Sequence, residues 1–272
     1  MKLSVIILTW NSLAQLQRCL SSIEQNTTLK NYEIIIIDNN SRDGTRRFLQ
    51  SQNSGRYRTI FNSTNRGVGP ARNQGLRIAT GQYILILDVD TVVTAGAVDR
   101  LVEYLDKDQE CGIVGSKLTD INGNLQFTCR CFPTIVSKAL RRLPYKWAKL
   151  ALHKEELRDW DHKSIRQVDY VIGACQMIRK KLVEAVGLID DKIFYGPEDV
   201  DYCLRAWQSG YKVIYNPNSV IIHDEQRITK KKLFSRITLE HVKALAYYFI
   251  KHRYLFSREK IYMHFPQGKC KM

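Results

Sequence analysis

The chain has 272 residues, 42 Lys and Arg against 27 Asp and Glu, and seven cysteines. That length suits one large domain, or a domain with an appendage, with a sizeable core. A hydrophobic fraction of 44% and a charged fraction of 25% exclude a disordered or fibrous chain. The longest apolar runs, Val5–Leu8, Ile34–Ile37 and Leu245–Ile250, fall far short of the roughly 20 residues that a spanning helix needs.

The opening MKLSVIILTWNS has the outline of a signal peptide. Its apolar stretch is short and no small-residue cleavage site follows, so a buried strand of an intracellular protein is expected. The cysteines (19, 111, 129, 131, 175, 203 and 270) are odd in number and scattered. The pair Cys129 and Cys131 has no second pair to complete a zinc site, so free reduced thiols are expected. Residues 226–272 hold 12 Lys and Arg against two Asp and Glu, a net of +10, which leaves +5 for residues 1–225. A basic tail on a near-neutral body calls for its own electrostatic partner, nucleic acid or an anionic membrane. A second basic stretch, KALRRLPYKWAKLALHK from Lys138 to Lys154, mixes Tyr145 and Trp147 with Lys and Arg, a composition suited to a membrane interface. For both stretches a solvated helix face is the alternative.

In chain order, LSVIIL (3–8) predicts a strand buried on both faces. Leu13, Leu16, Leu20 and Ile23 predict a helix over 12–26, and YEIIIID (32–38) a second buried strand. DNNSRDGT is turn chemistry, with Ser41 or Asp43 able to cap the helix RRFLQSQ. A strand over 57–62, a helix over 70–79 with Pro70 in its first turn, and a strand over 83–88 follow. Then come a helix over 97–108 and a strand over 112–118. Further on, a helix from 200 ends near Gly210, and KVIYNP and VIIH read as two more strands. The alternation predicts an α/β fold with a mostly parallel central sheet flanked by helices, and ligands at the carboxyl ends of its strands. Thr9 and Asn11, Asp38 to Ser41, and Asp88 to Asp90 all sit there.

Three constellations carry chemistry. Asp88-Val89-Asp90 ends a buried strand, and two such carboxylates can share Mg²⁺ or Mn²⁺. The alternative is a pair of surface or capping aspartates. Asn65 to Gly75, NRGVGPARNQG, places two glycines before a helix whose N-terminus attracts anions; Arg66 and Arg72 can pair with phosphate. Its spacing matches neither G-x-G-x-x-G nor a Walker loop. Glu198, Asp199 and Asp201 open the helix after Gly196-Pro197; they suit the helix dipole, and the bend can aim one carboxylate into a cleft as a general base. His223, at the end of an apolar strand, can complete a metal site with Asp90, although a lone histidine is commonly structural.

Read together, VIILTWNS, IIIIDNNSRDGT, NRGVGPARNQGLRIATGQYILILDVDT, GACQMIRKKLVEAVGLIDDKIF and EDVDYCLRAWQSGYKVIYNPNSVIIH, in that order, resemble family 2 glycosyltransferases of the inverting, Rossmann-like GT-A class. The likeness is strongest to bacterial rhamnosyltransferases of surface polysaccharide synthesis. It covers roughly 1–225 as a catalytic domain and leaves 226–272 as a basic amphipathic helical extension. The resemblance implies that Thr9, Asn11 and Asp38 line the base pocket, with Asp38 accepting from the pyrimidine N3–H. Asn40, Arg66 and Arg72 fall near the nucleotide. Asp88 contacts the ribose or the metal shell, and Asp90 and His223 ligate Mn²⁺ or Mg²⁺. Gly173, Ala174 and Cys175 line the cleft. Of the acidic pair Glu198-Asp199, Asp199 is the expected base. Trp10 and Gly196-Pro197 depart from the usual family residues, the latter bearing on the acceptor.

The expected donor is a dTDP- or UDP-sugar, with rhamnose favoured over UDP-linked hexose, N-acetylhexosamine or galactofuranose. The expected acceptor is a saccharide on polyprenyl diphosphate. Val242, Leu245, Ala246, Phe249 and Phe256 are expected on one face of a helix, ITLEHVKALAYYFIKHRYLF, which with Lys138–Lys154 would dock on the cytoplasmic leaflet. The location expected is therefore cytoplasmic and peripheral on the inner membrane face. No nucleic acid is expected, because unscreened carboxylates repel phosphates; a basic nucleic-acid-binding protein is the alternative of another class. Donor, acceptor, linkage and oligomeric state are left open by the sequence.

Overall fold

The first strand, β1 (Leu3–Thr9), is apolar along nearly its whole length because both of its faces are covered. In a computed structural model that describes residues 1–52, 55, 57–140, 146, 149, 153–224 and 236–264, it pairs in parallel with β2 (Tyr32–Asp38) and β4 (Tyr83–Asp88). Side chains alternate across a strand. Ile6, Ile35 and Ile37 therefore enter one buried cluster, while Val5, Ile7, Ile34 and Ile36 enter the other. Each such side chain contributes about 1.5–3 kcal/mol by leaving water. That is why the runs are continuously apolar rather than alternating.

The remaining strands are β3 (Tyr57–Phe61), β5 (Thr91–Val93), β6 (Cys111–Thr119), β7 (Leu125–Gln126), β8 (Cys129–Arg130), β9 (Arg166–Gln167), β10 (Tyr170–Val171), β11 (Cys175–Arg179) and β12 (Lys212–His223). Among the described residues the main sheet runs β3-β2-β1-β4-β11-β6-β12-β5. It is mostly parallel at its centre; β11 is antiparallel to both neighbours, and β5 to β12. The order reverses between β1 and β4, which opens a crevice at the strands' carboxyl ends.

Helices α1 (Leu13–Asn26), α2 (Thr45–Ser51) and α4 (Ala97–Lys107) cover one face of the sheet. Leu16, Cys19, Leu20 and Ile23 of α1 are buried there, the helical spacing seen in the sequence. The other face holds α3 (Val68–Ile78), α6 (Lys180–Val186), α7 (Glu198–Gln208), α8 (Arg236–His252) and α9 (Glu259–His264). The short helix α5 is Ile135–Leu140. No described helix is long and apolar enough to cross a membrane.

Several expectations are corrected. KVIYNP and VIIH form one strand, β12, because a register shift between Asn216 and Val220 lets it pass Pro217 while staying paired with β6. Helix α3 begins at Val68, two residues early, and the Val68 N–H donates to the Phe194 carbonyl (2.7 Å), so that amide is not offered to a phosphate. The C-terminal helix stops at His252, and Arg253 turns out with φ 54°. Its expected apolar face is divided: Phe249 is buried and Leu245 packs against the core, while Val242, Ala246 and Phe256 are exposed. Parts of the Lys138–Lys154 stretch (141–145, 147, 148 and 150–152) and residues 225–235 and 265–272 lie outside the described residues.

Buried charge fastens the C-terminal helices to the body. Asp201, fully buried in α7, accepts from Lys251 (2.6 Å), His252 (2.8 Å) and Arg205 (2.8 Å). Burial works against its charge, but His252, Arg205 and Lys251 outweigh it and hold the carboxyl well below its usual range. Asp169 accepts from the Phe132 N–H and the Tyr262 hydroxyl.

Candidate active site

The register sets Thr9 beside Asp38, and Leu8 beside Asp88, at one edge of the sheet. Asn11, in the left-handed region at φ 51°, donates its N–H to Ser41 Oγ (2.8 Å) and accepts from the Arg42 N–H (2.7 Å). Asn40, also left-handed at φ 70°, is half-buried beside Asp38. Thr9 Oγ1 and Asp38 Oδ2 are buried with no partner among the described residues. A buried polar atom left unpaired costs about 1–3 kcal/mol, so this edge offers hydrogen-bonding capacity that a ligand or water can take up.

Asn39, buried between the two named residues, shapes the next turn. Its Oδ1 accepts from the Arg66 N–H (3.0 Å), and its Nδ2 donates to Asn65 Oδ1 (2.9 Å) and the Gly67 carbonyl (3.2 Å). The Arg66 side chain points to solvent and does not line the cleft. Gly67 has φ 85°, and a Cβ there would sit 2.6 Å from the Phe194 carbonyl oxygen and 2.5 Å from its ring.

Asp88 ends β4 and Asp90 begins the turn into β5. β12 pairs antiparallel with β5, which carries His223 opposite Thr91 and beside Asp90. His223 Nε2 lies 3.4 Å from Asp90 Oδ1, and one ligand atom from each of Asp88, Asp90 and His223 lies within 4.8 Å of the others. Nδ1 of His223 is 2.8 Å from Gln126 Oε1, and Gln126 Nε2 donates to the His223 carbonyl (2.8 Å). An Nδ1–H donated to Gln126 makes Nε2 the basic nitrogen, the arrangement of a metal-ligating histidine. Two carboxylates and this imidazole therefore fit a hard divalent cation. Burial pushes the Asp88 carboxyl up from its ordinary range, Arg72 pulls it back, and Asp90 adds to the rise.

Arg72 links this trio to the acidic pair. It is buried, donates to Asp88 Oδ1 (2.6 Å), Glu198 Oε1 (3.2 Å) and the Gly173 carbonyl (3.0 Å), and so is engaged by protein rather than held free for phosphate. A Cβ at Gly173 would stand 2.7 Å from Arg72 Nη1, so a side chain there would displace the guanidinium from its carboxylates. Its N–H donates to Asp199 Oδ2 (3.0 Å), while Asp199 Oδ1 accepts from the Val200 N–H (2.8 Å). Glu198 is buried and its Oε2 has no partner among the described residues. Burial and the adjoining Asp199 push its carboxyl up to about 7 against the pull of Arg72. Asp201, the third carboxylate of the sequence cluster, faces away, into the C-terminal helix.

Arg72, Asp88, Asp90, Gly173, Ala174, Glu198, Asp199 and His223 thus line one cleft of about 540 Å³, within the range of small-molecule sites. Thr9, Asn11, Asp38 and Asn40 adjoin it along the sheet edge, and Trp10 and Ser12 reach its wall. Arg130, Lys138 and His241 also line it; no local pattern marks Arg130 or His241, and the sequence marks Lys138 only as the start of a basic stretch. His241 comes from α8, with Nδ1 3.3 Å from the Tyr195 carbonyl, and burial pulls its imidazole down.

The Glycosyl transferase family 2 profile matches residues 4–187. The N-acetylglucosaminyl-diphospho-decaprenol L-rhamnosyltransferase of Mycobacterium tuberculosis is 23% identical over 255 residues, 88% of this chain and 81% of that protein. The glycosyltransferase AglE of Haloferax volcanii is 25% identical over 260 residues, 89% of this chain and 78% of that one. Among solved structures, S. aureus TarS 1-349 with UDP-GlcNAc superposes with TM-score 0.66 at 16% identity, over 98% of this chain and 71% of that one. The mannosyltransferase PcManGT of Pyrobaculum calidifontis, with GDP-Man and Mn²⁺, gives 0.63 at 20% identity, over 93% of this chain but 64% of that one, under two thirds of its length. The fold is GT-A, and the chain belongs to glycosyl transferase family 2, a family of sugar-transferring enzymes.

Proposed function

We propose that the protein is an inverting, metal-dependent glycosyltransferase that moves a sugar, with rhamnose favoured, from a nucleoside-diphosphate donor to a saccharide on polyprenyl diphosphate. Its place would be the cytoplasmic face of the membrane, in cell-surface polysaccharide synthesis. Residues 1–225 would form the catalytic unit and 226–272 a basic helical extension on it. The observation that carries this reading is the meeting of Asp88, Asp90 and His223 with Glu198 and Asp199 across one cleft, joined by Arg72. The likeness to a rhamnosyltransferase named for a lipid-diphosphate acceptor supports the choice of donor sugar and acceptor.

Asp38, Thr9, Asn11 and Asn40 would seat the base and ribose, with the unpaired Asp38 Oδ2 accepting from a pyrimidine N3–H. Mn²⁺ or Mg²⁺ on Asp88, Asp90 and His223 would neutralise a diphosphate leaving group. Asp199, held by the Gly173 N–H, would take the acceptor hydroxyl's proton as that oxygen attacks the anomeric carbon. Attack on the face opposite the departing diphosphate inverts the configuration. Glu198, paired with Arg72, would fix the base from behind. Holding donor and acceptor together accounts for much of the rate.

The test is a thermal-shift panel of dTDP, UDP, GDP, ADP and a short DNA duplex, each with and without Mn²⁺. Metal-dependent stabilisation by dTDP above UDP, lost in Asp90→Asn, is the expected result. Preference for UDP would move the donor to a UDP-hexose, N-acetylhexosamine or galactofuranose. A response to DNA alone would overturn the reading.

A further inference from the structure

We propose that the outward face of α8, with the turn after it and the start of α5, is the surface by which this protein docks on an anionic lipid bilayer. Helix α8 has two apolar sides. One is used by the fold: Ala244, Tyr248 and Phe249 are buried, Lys251 and His252 bind Asp201, and His241 reaches the cleft. The other is left outside. Leu239, Val242, Ala246 and Ile250, spaced three, four and four residues apart, form one exposed stripe, and Ile250 is 74% exposed. A helix that only faces water carries charge on that side.

The stripe continues beyond the helix. Leu255 is exposed and Phe256 is 70% exposed in the turn after it. The Ile135 N–H donates to the Leu255 carbonyl (2.9 Å), which sets the exposed Ile135 and Val136 of α5 alongside. Exposed Lys243 and Arg253 border the stripe, and residues 226–272 carry a net +10.

Charge selects the occupant. Aliphatic residues bordered by cations match acyl chains beneath anionic headgroups. A second copy of this chain would bring the same positive surface against it. Nucleic acid would leave the aliphatic residues unused, because its bases stack on aromatic rings. The same two helices supply Lys138 and His241 to the cleft, so docking brings the cleft to the bilayer. That purpose rests on the lipid-linked acceptor; the docking itself does not.

The experiment is flotation of the full chain with phosphatidylcholine vesicles, with and without phosphatidylglycerol. The protein is expected to float with the anionic vesicles alone, less so as salt rises. Ile250→Glu with Phe256→Glu should lower the bound fraction about tenfold or more, with nucleotide-dependent thermal stabilisation unchanged. Lys243→Glu with Arg253→Glu, a purely surface change, should weaken binding several-fold at low salt. A wild type that stays behind, equal binding to neutral vesicles, or variants that float as well would overturn the proposal. So would a dimer that sediments without lipid and is lost in both variants. Unchanged nucleotide stabilisation in those cases would leave the transferase reading standing.

Discussion

The two walls of the cleft are held in place by different forces. The wall of Thr9, Asp38 and Asp88 stands on β1, β2 and β4, whose side chains are buried on both faces and, apart from Ser4 and Glu33 at the far end, mostly apolar. The wall of Asp199, Lys138 and His241 stands on α7, α5 and α8, and buried charge fastens that side: Asp201 to Lys251 and His252, Asp190 to Lys251 and Tyr247. Apolar burial is indifferent to pH and side-chain charge; ion pairs are not. The first wall should behave as a rigid seat, and the second should respond to charge substitution and pH.

The largest effect expected is on chemistry at the rigid wall. Asp90→Asn should lower transfer about a thousandfold, several kcal/mol of lost charge stabilisation, with the melting temperature nearly unchanged. A large drop in melting temperature would break the comparison. On the other wall, Asp199→Asn should lower kcat about a hundredfold or more, with donor binding kept in calorimetry. A Glu198→Gln loss greater than that of Asp199→Asn would reassign the base.

Arg72→Met leaves Asp88 and Glu198 facing each other without their shared cation, and should cost about 3 kcal/mol in urea unfolding. Asp201→Asn should cost about 2–3 kcal/mol by unpairing the half-buried Lys251 and His252 from a buried partner. Hydrogen exchange should rise in 236–252 and not in β1 or β4; a uniform rise would show that the walls are not separable.

The smallest effect is a pH dependence. Burial pushes Asp169 up to about 6 despite its bonds from Tyr262 and Phe132. The native state therefore holds this proton more tightly than the unfolded chain, whose value is about 3.9. The stability contributed through Asp169 is present below about pH 4 and falls as pH rises to about 6. Asp169→Asn cannot ionise, and should gain on the wild type by about 2 kcal/mol between pH 4 and 7 in urea unfolding.

The same contrast explains what the sequence disclosed. Strands buried on both faces write themselves as apolar runs, and their polar ends mark the sheet edge, so Thr9, Asp38 and Asp88 to Asp90 were legible in order. His223 was legible for the same reason, as the end of a strand. His241 was not: it meets Tyr195 across 46 residues of sequence, and no local pattern encodes that meeting. Asn39, within the Asp38 to Ser41 turn, carries no role legible in the sequence because its work is to hold the distant turn at Asn65 to Gly67. The inward face of α8 was misread because the helix carries apolar residues on both sides. The aromatic rings of Tyr248 and Phe249, packed on Tyr254, decide which side turns in.

Gly67 and Phe194 meet so closely that no side chain can come between them, and the obstacle includes the Phe194 backbone, which no rotamer change removes. The turn before α3 and the segment leading to Glu198 therefore form one interlocking part. A library that varies the 65–69 turn would also move the segment that leads to Glu198 and Asp199. Positions 67 and 194 should be exchanged together, as a cassette taken whole from a relative, rather than sampled independently.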